Sequence, residues 1–169
     1  FKAKDFHGAI SCYTKALGVL PPDASEEAAG LLVNRAIVHS SLADKTRGNT
    51  TIPDGHLLCY VASRRDALAA LRLVPHHAKA LHRLALVEEV TNRPKAAVTA
   101  MCLGAAHHPD LYEHFAKAAR KLGAWKLPPP PVVETVADGA GMTRAERITC
   151  PASVYLHAFV SRLMSICCR

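Results

Sequence analysis

The chain has 169 residues, of which 50% are hydrophobic and only 5% aromatic, and its formal net charge is +7 at pH 7. This length allows one domain with an appended tail, and abundant alanine favours closely packed helices over sheets. No uncharged run is long enough to span a bilayer. The charged opening "FKAKDF" does not fit a signal peptide, and the six scattered cysteines indicate a reduced, cytoplasmic setting. The positive charge suits an acidic partner.

The first predicted element, "DFHGAISCYTKALGVLP", has a spacing of small residues that recurs twice further along the chain. Pro75 and Pro109 are 34 residues apart, and Pro21 ends the first segment in the same way. The small residues five and twelve places before each proline are Ala16 and Ala9, Ala70 and Ser63, and Gly104 and Ala97. Small residues let antiparallel helices approach closely, and proline ends each pair. The pattern therefore predicts helix-turn-helix repeats.

The second unit, from Pro22 to Pro75, has 54 residues, 20 more than the period. About five extra residues precede its first helix, "LLVNRAIVHSSL", and the rest lie between its two helices. Because Gly48, Asn49, Pro53 and Gly55 favour a turn, residues 43–58 are predicted to form a loop that projects from the helices. The loop is either a tolerated surface insertion or a contact loop.

The third unit begins with "KALHRLALVEEV" and ends at Pro109. The stretch "DLYEHFAKAARKLGAW" follows, with an apolar stripe that predicts a capping helix: Leu111, Phe115, Ala119 and Leu122. Residues 1–127 are thus predicted to form one helical domain. Residues 128–152, which open with four prolines, are predicted to be a linker, and the apolar residues 153–169 a C-terminal segment with helical potential.

The segment from Phe1 to Pro109 resembles a tetratricopeptide repeat (TPR) domain. The resemblance implies an all-α fold, a right-handed α-solenoid of three TPR helix pairs closed by the capping helix. Because the chain begins in the middle of the first unit's first helix, that pair is expected to be truncated.

Lys79 and Arg83 lie four residues apart on the first helix of the third unit. Two cations at this spacing repel each other, and a solvated basic face is one interpretation. Asn34 holds in the second unit the repeat position that Arg83 holds in the third. The three resemble members of the two-carboxylate clamp of co-chaperone TPR domains. That clamp binds the C-terminus of cytosolic heat-shock chaperones, which ends in Glu-Glu-Val-Asp, and its other two positions would precede Phe1.

The resemblance implies a role for each of these residues. Asn34 would donate to the main-chain carboxylate, while Lys79 and Arg83 would hold the terminal Asp side chain and nearby backbone carbonyls. Three further residues on the same helical face are expected either to contact the ligand upstream or to form a mixed wet surface: His82, Leu86 and Glu89. Arg35 is expected to point back toward a neighbouring helix.

The resulting prediction is an adaptor that binds the acidic tail of a heat-shock chaperone, with no enzymatic activity and no cofactor. A TPR scaffold for an unrelated partner, or the TPR part of a larger enzyme, remains an alternative. The pairs His76–His77 and His107–His108 lie beside prolines and are interpreted as turn residues rather than metal ligands. Nucleic acid is not an expected partner, because the aromatic residues occupy positions predicted to be buried. The sequence does not specify an oligomeric state.

Overall fold

Helices dominate the computed structural model, which describes residues 5–47, 55–124, 127–128, 130, 132–137 and 143–149, the last two ranges as backbone only. The helices are α1 (Phe6–Val19), α2 (Ser25–Thr46), α3 (Gly55–Leu73), α4 (Ala78–Val90), α5 (Pro94–His107) and α6 (Tyr112–Lys121). A short 3-10 turn, Pro109–Leu111, precedes α6. The all-α class is confirmed for the described chain up to residue 124.

Several helix ends have a visible local cause. The Asp5 side chain accepts a hydrogen bond from the Gly8 amide at 2.9 Å and so caps α1. His77 caps α4 in the same way, because its Nδ1 accepts from the Ala80 amide at 3.2 Å. Asn92, with a φ of 58°, follows the end of α4. Pro94 then opens α5 at a position where its missing amide hydrogen costs nothing.

Each helix packs against the next along the chain, and α2 also contacts α4. The largest apolar cluster joins α3, α4, α5 and α6 through residues that include Leu81, Leu84, Met101 and Phe115. A second cluster joins α2, α3 and α4 through residues that include Val33, Ala70 and Ala80. These contacts fit helix pairs stacked in chain order, and the right-handed TPR solenoid stays a prediction.

The small residues predicted at helix contacts are buried in the second and third units: Ser63, Ala70, Ala97 and Gly104. Ser63 also donates to the Ala36 carbonyl at 2.7 Å, so its hydroxyl is satisfied inside the protein. Ala9 and Ala16 are only partly buried. Helix α1 packs against α2 and buries none of its own residues completely.

The prediction that residues 43–58 form a loop is wrong at both ends of this segment. Helix α2 continues to Thr46 and α3 already begins at Gly55. The extra turns are stabilised by a small cluster of Ala43, Tyr60 and Val87, and the Tyr60 hydroxyl donates to Asp44. Residues 48–54, the centre of the predicted loop, lie outside the described residues.

Two antiparallel strands, β1 (Val132–Ala137) and β2 (Thr143–Thr149), occupy part of the predicted linker. Val132 pairs with Thr149 and Ala137 with Thr143, with an irregularity between Val133 and Thr135. These strands were not predicted, although both are rich in the β-branched residues that favour strands. The predicted C-terminal segment 153–169 lies outside the described residues.

None of the helices in the described ranges is both long and apolar enough to cross a membrane.

Candidate peptide-binding site

Helix α4 has one buried stripe and one open face. The buried residues are Ala80, Leu81, Leu84, Ala85, Val87 and Glu88. At 3.6 residues per turn, the opposite side of the helix carries the residues that we call the α4 face: Lys79, His82, Arg83, Leu86 and Glu89. Lys79 and Glu89 are exposed, and the other three are half-buried. All five predicted site residues of this helix therefore share one side of it.

Asn34 lies exposed on α2, the helix that contacts α4. Its neighbour Val33 packs in the same cluster as Ala80, so Asn34 is held beside the first half of α4. In the described part of the chain, no side-chain hydrogen bond or ion pair engages Asn34 or Lys79. The structure thus places Asn34 on an adjoining helix without a direct contact to either cation.

Arg83 is the most enclosed cation of the α4 face. Its Nε is buried and has no hydrogen-bond partner among the described residues. Burial lowers the pKa of Arg83, and the carboxylate of Asp44 on α2 partly offsets this effect. Asp44 itself accepts a hydrogen bond from the Tyr60 hydroxyl, and burial together with this bond raises the pKa of Tyr60 to about 12. Arg83 therefore retains at least one unsatisfied donor, which costs free energy until an acceptor arrives.

Two other arginines are paired with buried carboxylates between helices. Arg35 holds Asp66 with two bonds, Nε to Oδ2 at 2.7 Å and a terminal nitrogen to Oδ1 at 2.8 Å. These bonds raise the pKa of Arg35 and confirm that it points toward a neighbouring helix. Arg64 Nε donates to Glu88 Oε1 at 2.6 Å in the same manner. These two guanidinium groups join helices, so their charges are already matched.

The acidic residues of these pairs were missed by sequence reasoning. Asp66 is 1% exposed and Glu88 is fully buried. A carboxylate is almost never fully buried unless it is paired. Both acids lie within apolar stretches, "DALAAL" and "LVEEV", and this position could have indicated that they are buried and paired.

The histidines converge in two places. His82 on α4 approaches His114 on α6, with ring centroids 5.1 Å apart. Across two turns, His76 stacks on His107 at 3.9 Å, and His108 Nε2 forms a short hydrogen bond with the His76 carbonyl. His76 and His77 lie in the connection between α3 and α4, as predicted, whereas His107 is the last residue of α5 and only His108 lies beyond the helix. The convergence of the two pairs was not foreseen. Among the described residues, no group of three histidine, cysteine or acidic side chains is arranged to hold a metal ion.

Comparison of the chain with protein-family models, curated proteins and solved structures found no match. The resemblance to TPR domains therefore stays a prediction, and the chemistry of the site is argued from its own geometry.

The α4 face can bind an anion. An exposed ammonium and a half-buried guanidinium lie one turn apart, and the primary amide of Asn34 stands on the adjoining helix. Ammonium, guanidinium and amide groups all donate hydrogen bonds, and the two cations do so with charge assistance. A carboxylate fits such a donor set, because it accepts several charge-assisted hydrogen bonds.

Proposed function

We propose that this chain is an adaptor that binds the acidic C-terminal peptide of a cytosolic heat-shock chaperone across α2 and α4. Asn34 donates to the main-chain carboxylate of the last residue. Lys79 and Arg83 hold the side-chain carboxylate of that residue, a terminal Asp. The other three residues of the α4 face, His82, Leu86 and Glu89, contact the peptide residues upstream.

One observation carries the proposal. Lys79 and Arg83 share one side of α4, and neither forms an ion pair in the described ranges, while Arg35 and Arg64 are matched by buried acids. A peptide carboxylate would satisfy the buried Arg83 Nε and relieve the repulsion between the two cations. Half-burial of Arg83 strengthens the interaction, because the charges meet in a lower dielectric than water.

A C-terminal Asp supplies two carboxylates on one residue, its main-chain and its side-chain group, whereas an internal acidic residue supplies one. The proposal therefore requires that amidation of the peptide weakens binding. The alternative of an unrelated acidic partner requires only charge, and its binding is insensitive to amidation.

The test is fluorescence-anisotropy titration of a labelled peptide ending in Glu-Glu-Val-Asp. We expect Lys79→Ala and Arg83→Ala each to weaken binding about tenfold, since a hydrogen bond to a charged group contributes about 1.5 kcal/mol or more. Lys95→Ala and Arg72→Ala, which remove exposed cations from α5 and α3, serve as matched controls and should change the Kd less than about twofold.

The amidated peptide is the second control, and it should bind at least about tenfold more weakly than the free acid. Equal, salt-sensitive binding of the two peptides, or equal losses in all four variants, would show a general basic surface in place of a terminal-carboxylate site.

A further inference from the structure

His82 and His114 form a pair at the edge of the α4 face. Their rings are tilted by 43° with centroids 5.1 Å apart. Phe115, which is 1% exposed, lies edge-on behind His114 at 5.7 Å and behind His82 at 6.5 Å. His114 is exposed and His82 is half-buried, so solvent reaches the pair from one side. A buried aromatic ring thus supports two imidazoles that are open to a ligand.

The surroundings of His82 are cationic. Its charged neighbours are His114 on α6 and Arg83 on its own helix, and both act with burial, the largest cause, to lower the pKa of His82. Burial, His114 and Arg83 account for the lowered pKa of His82. On α6, the exposed Glu113 and Lys117 flank His114 with opposite charges. Asp44 on α2 is the acidic group that acts on the neighbouring Arg83, and no acidic group of the described chain is among the causes of the lowered pKa of His82.

We propose that His82 and His114 form a second carboxylate subsite, which holds an acidic side chain upstream of the ligand's last residue and couples peptide binding to proton uptake. This inference rests on the proposed function, because the peptide is positioned by Lys79 and Arg83. The upstream Glu residues of a Glu-Glu-Val-Asp tail supply the required side chain.

Proton uptake follows from the charge and the hydrogen-bonding needs of a bound carboxylate. A neutral imidazole has one donor nitrogen and one acceptor nitrogen, while an imidazolium has two donors. A carboxylate that accepts from both rings at the open side of the pair favours the protonated form, because its negative charge stabilises the imidazolium, and the proton comes from solvent. Because the pKa of the imidazole is higher in the complex than in the free protein, the complex binds more protons. By linkage, affinity rises as pH falls through the range in which histidine titrates.

The experiment is the same anisotropy titration performed at pH 7.5 and pH 6.0, where the peptide carboxylates stay ionised. We expect the wild-type Kd to fall about fivefold at the lower pH, as partial uptake of one proton allows. His82→Gln and His114→Gln should reduce the change to less than about twofold while keeping the sensitivity to amidation. His7→Gln, at an exposed histidine of α1, is the matched control and should keep the wild-type profile.

A peptide in which both Glu residues are replaced by Gln should also give a flat profile. Amidation-sensitive binding with a flat wild-type profile would overturn the subsite and leave the proposed function intact. A steep profile that persists in His114→Gln would place the proton elsewhere and would also overturn the subsite.

A second measurement tests the subsite with a probe that has no C-terminal carboxylate for Lys79 and Arg83 to hold. The histidine C–H resonances are titrated by NMR with and without acetyl-Glu-Glu-amide, which has no C-terminal carboxylate. We expect the titration midpoints of His82 and His114 to move to higher pH with this probe, and that of His7 to stay. Unmoved His82 and His114 midpoints would overturn the subsite, even if the chaperone peptide does not bind and the proposed function fails.

Discussion

Arg35 and Arg83 show that the pairing of a single cation depends on which residue the neighbouring helix places against it. Arg35 is held by the buried Asp66, while Arg83 keeps a buried Nε without a partner. The orientation of Arg35 could be predicted, because it is one position around the helix from Asn34. Its partner could not, since Asp66 is 31 residues away in the sequence and no local pattern identifies it.

The histidines beside the prolines also make a contact that no local sequence pattern identifies. Their positions followed from the neighbouring prolines, because proline ends the helix in front of it. The stacking of His76 on His107 depends on how successive helix pairs pack together. The spacing of residues within one connection does not predict this packing.

His107 is expected to make stability depend on pH. Burial, then His76 and His108, lowers its pKa to about 4, whereas a histidine in the unfolded chain titrates near about 6.5. Between these values the unfolded chain binds more protons than the folded protein. The contribution of His107 to the free energy of unfolding is therefore fully present above about pH 6.5 and is lost as pH falls toward about 4. Burial and His108 lower the pKa of His76 as well, with the same sign.

The test is His107→Phe, which keeps an aromatic ring on His76 and removes a buried Nε2 that has no partner in the described chain. We expect an equal or higher Tm at pH 7.5 and a shallower fall in Tm down to pH 4.5, measured by circular dichroism. His7→Phe is the control at an exposed site. An unchanged slope in His107→Phe would show that His107 does not carry the effect.

At the level of the helices, the close contacts were predictable and the helix lengths were not. Small residues at fixed distances from a proline identified Ser63, Ala70, Ala97 and Gly104, because two helices can approach closely only where side chains are small. Glycine and proline in the insertion predicted a loop, yet α2 and α3 extend into it. The extension depends on tertiary contacts of Ala43 and Tyr60, which intrinsic propensity cannot reveal.

Gly104 tests the contact between α5 and α6. A Cβ added at this position would overlap the ring of Phe115, which is 1% exposed and has little room to move. We expect Gly104→Ala to reduce the free energy of unfolding by about 2 kcal/mol through overpacking, despite the higher helix propensity of alanine. Urea denaturation measures the change.

Gly30→Ala is the matched control, because a Cβ at Gly30 in α2 meets nothing within 4 Å. It should leave stability unchanged or raise it by about 0.5 kcal/mol. Equal effects of the two substitutions would contradict the close approach of α5 and α6.

At the scale of the whole molecule, composition favoured helices, and the recurring small residues with the TPR resemblance predicted the all-α class found in the described chain up to residue 124. Alanine abundance and the recurring small residues led to that class, and the strand pair after residue 131 was missed because its segments show no sustained alternation. The residues of the site came from the resemblance to clamp-bearing TPR domains. Helical periodicity then explains why Lys79 and Arg83 share the α4 face, but it cannot explain which partner the face binds. His114 and Asp44 were missed because they reach the site from other helices.

The most direct test of the central claim is NMR mapping of the peptide ending in Glu-Glu-Val-Asp on the isotope-labelled protein. The peptide should shift the side-chain amide signals of Asn34 and the Nε–H signal of Arg83, which is buried and lacks a partner within the described ranges. The amidated peptide should leave both signals close to their free positions. Identical shifts with the two peptides, or shifts confined to the exposed apolar residues Leu57, Leu58 and Val61 of α3, would contradict a carboxylate site on α2 and α4.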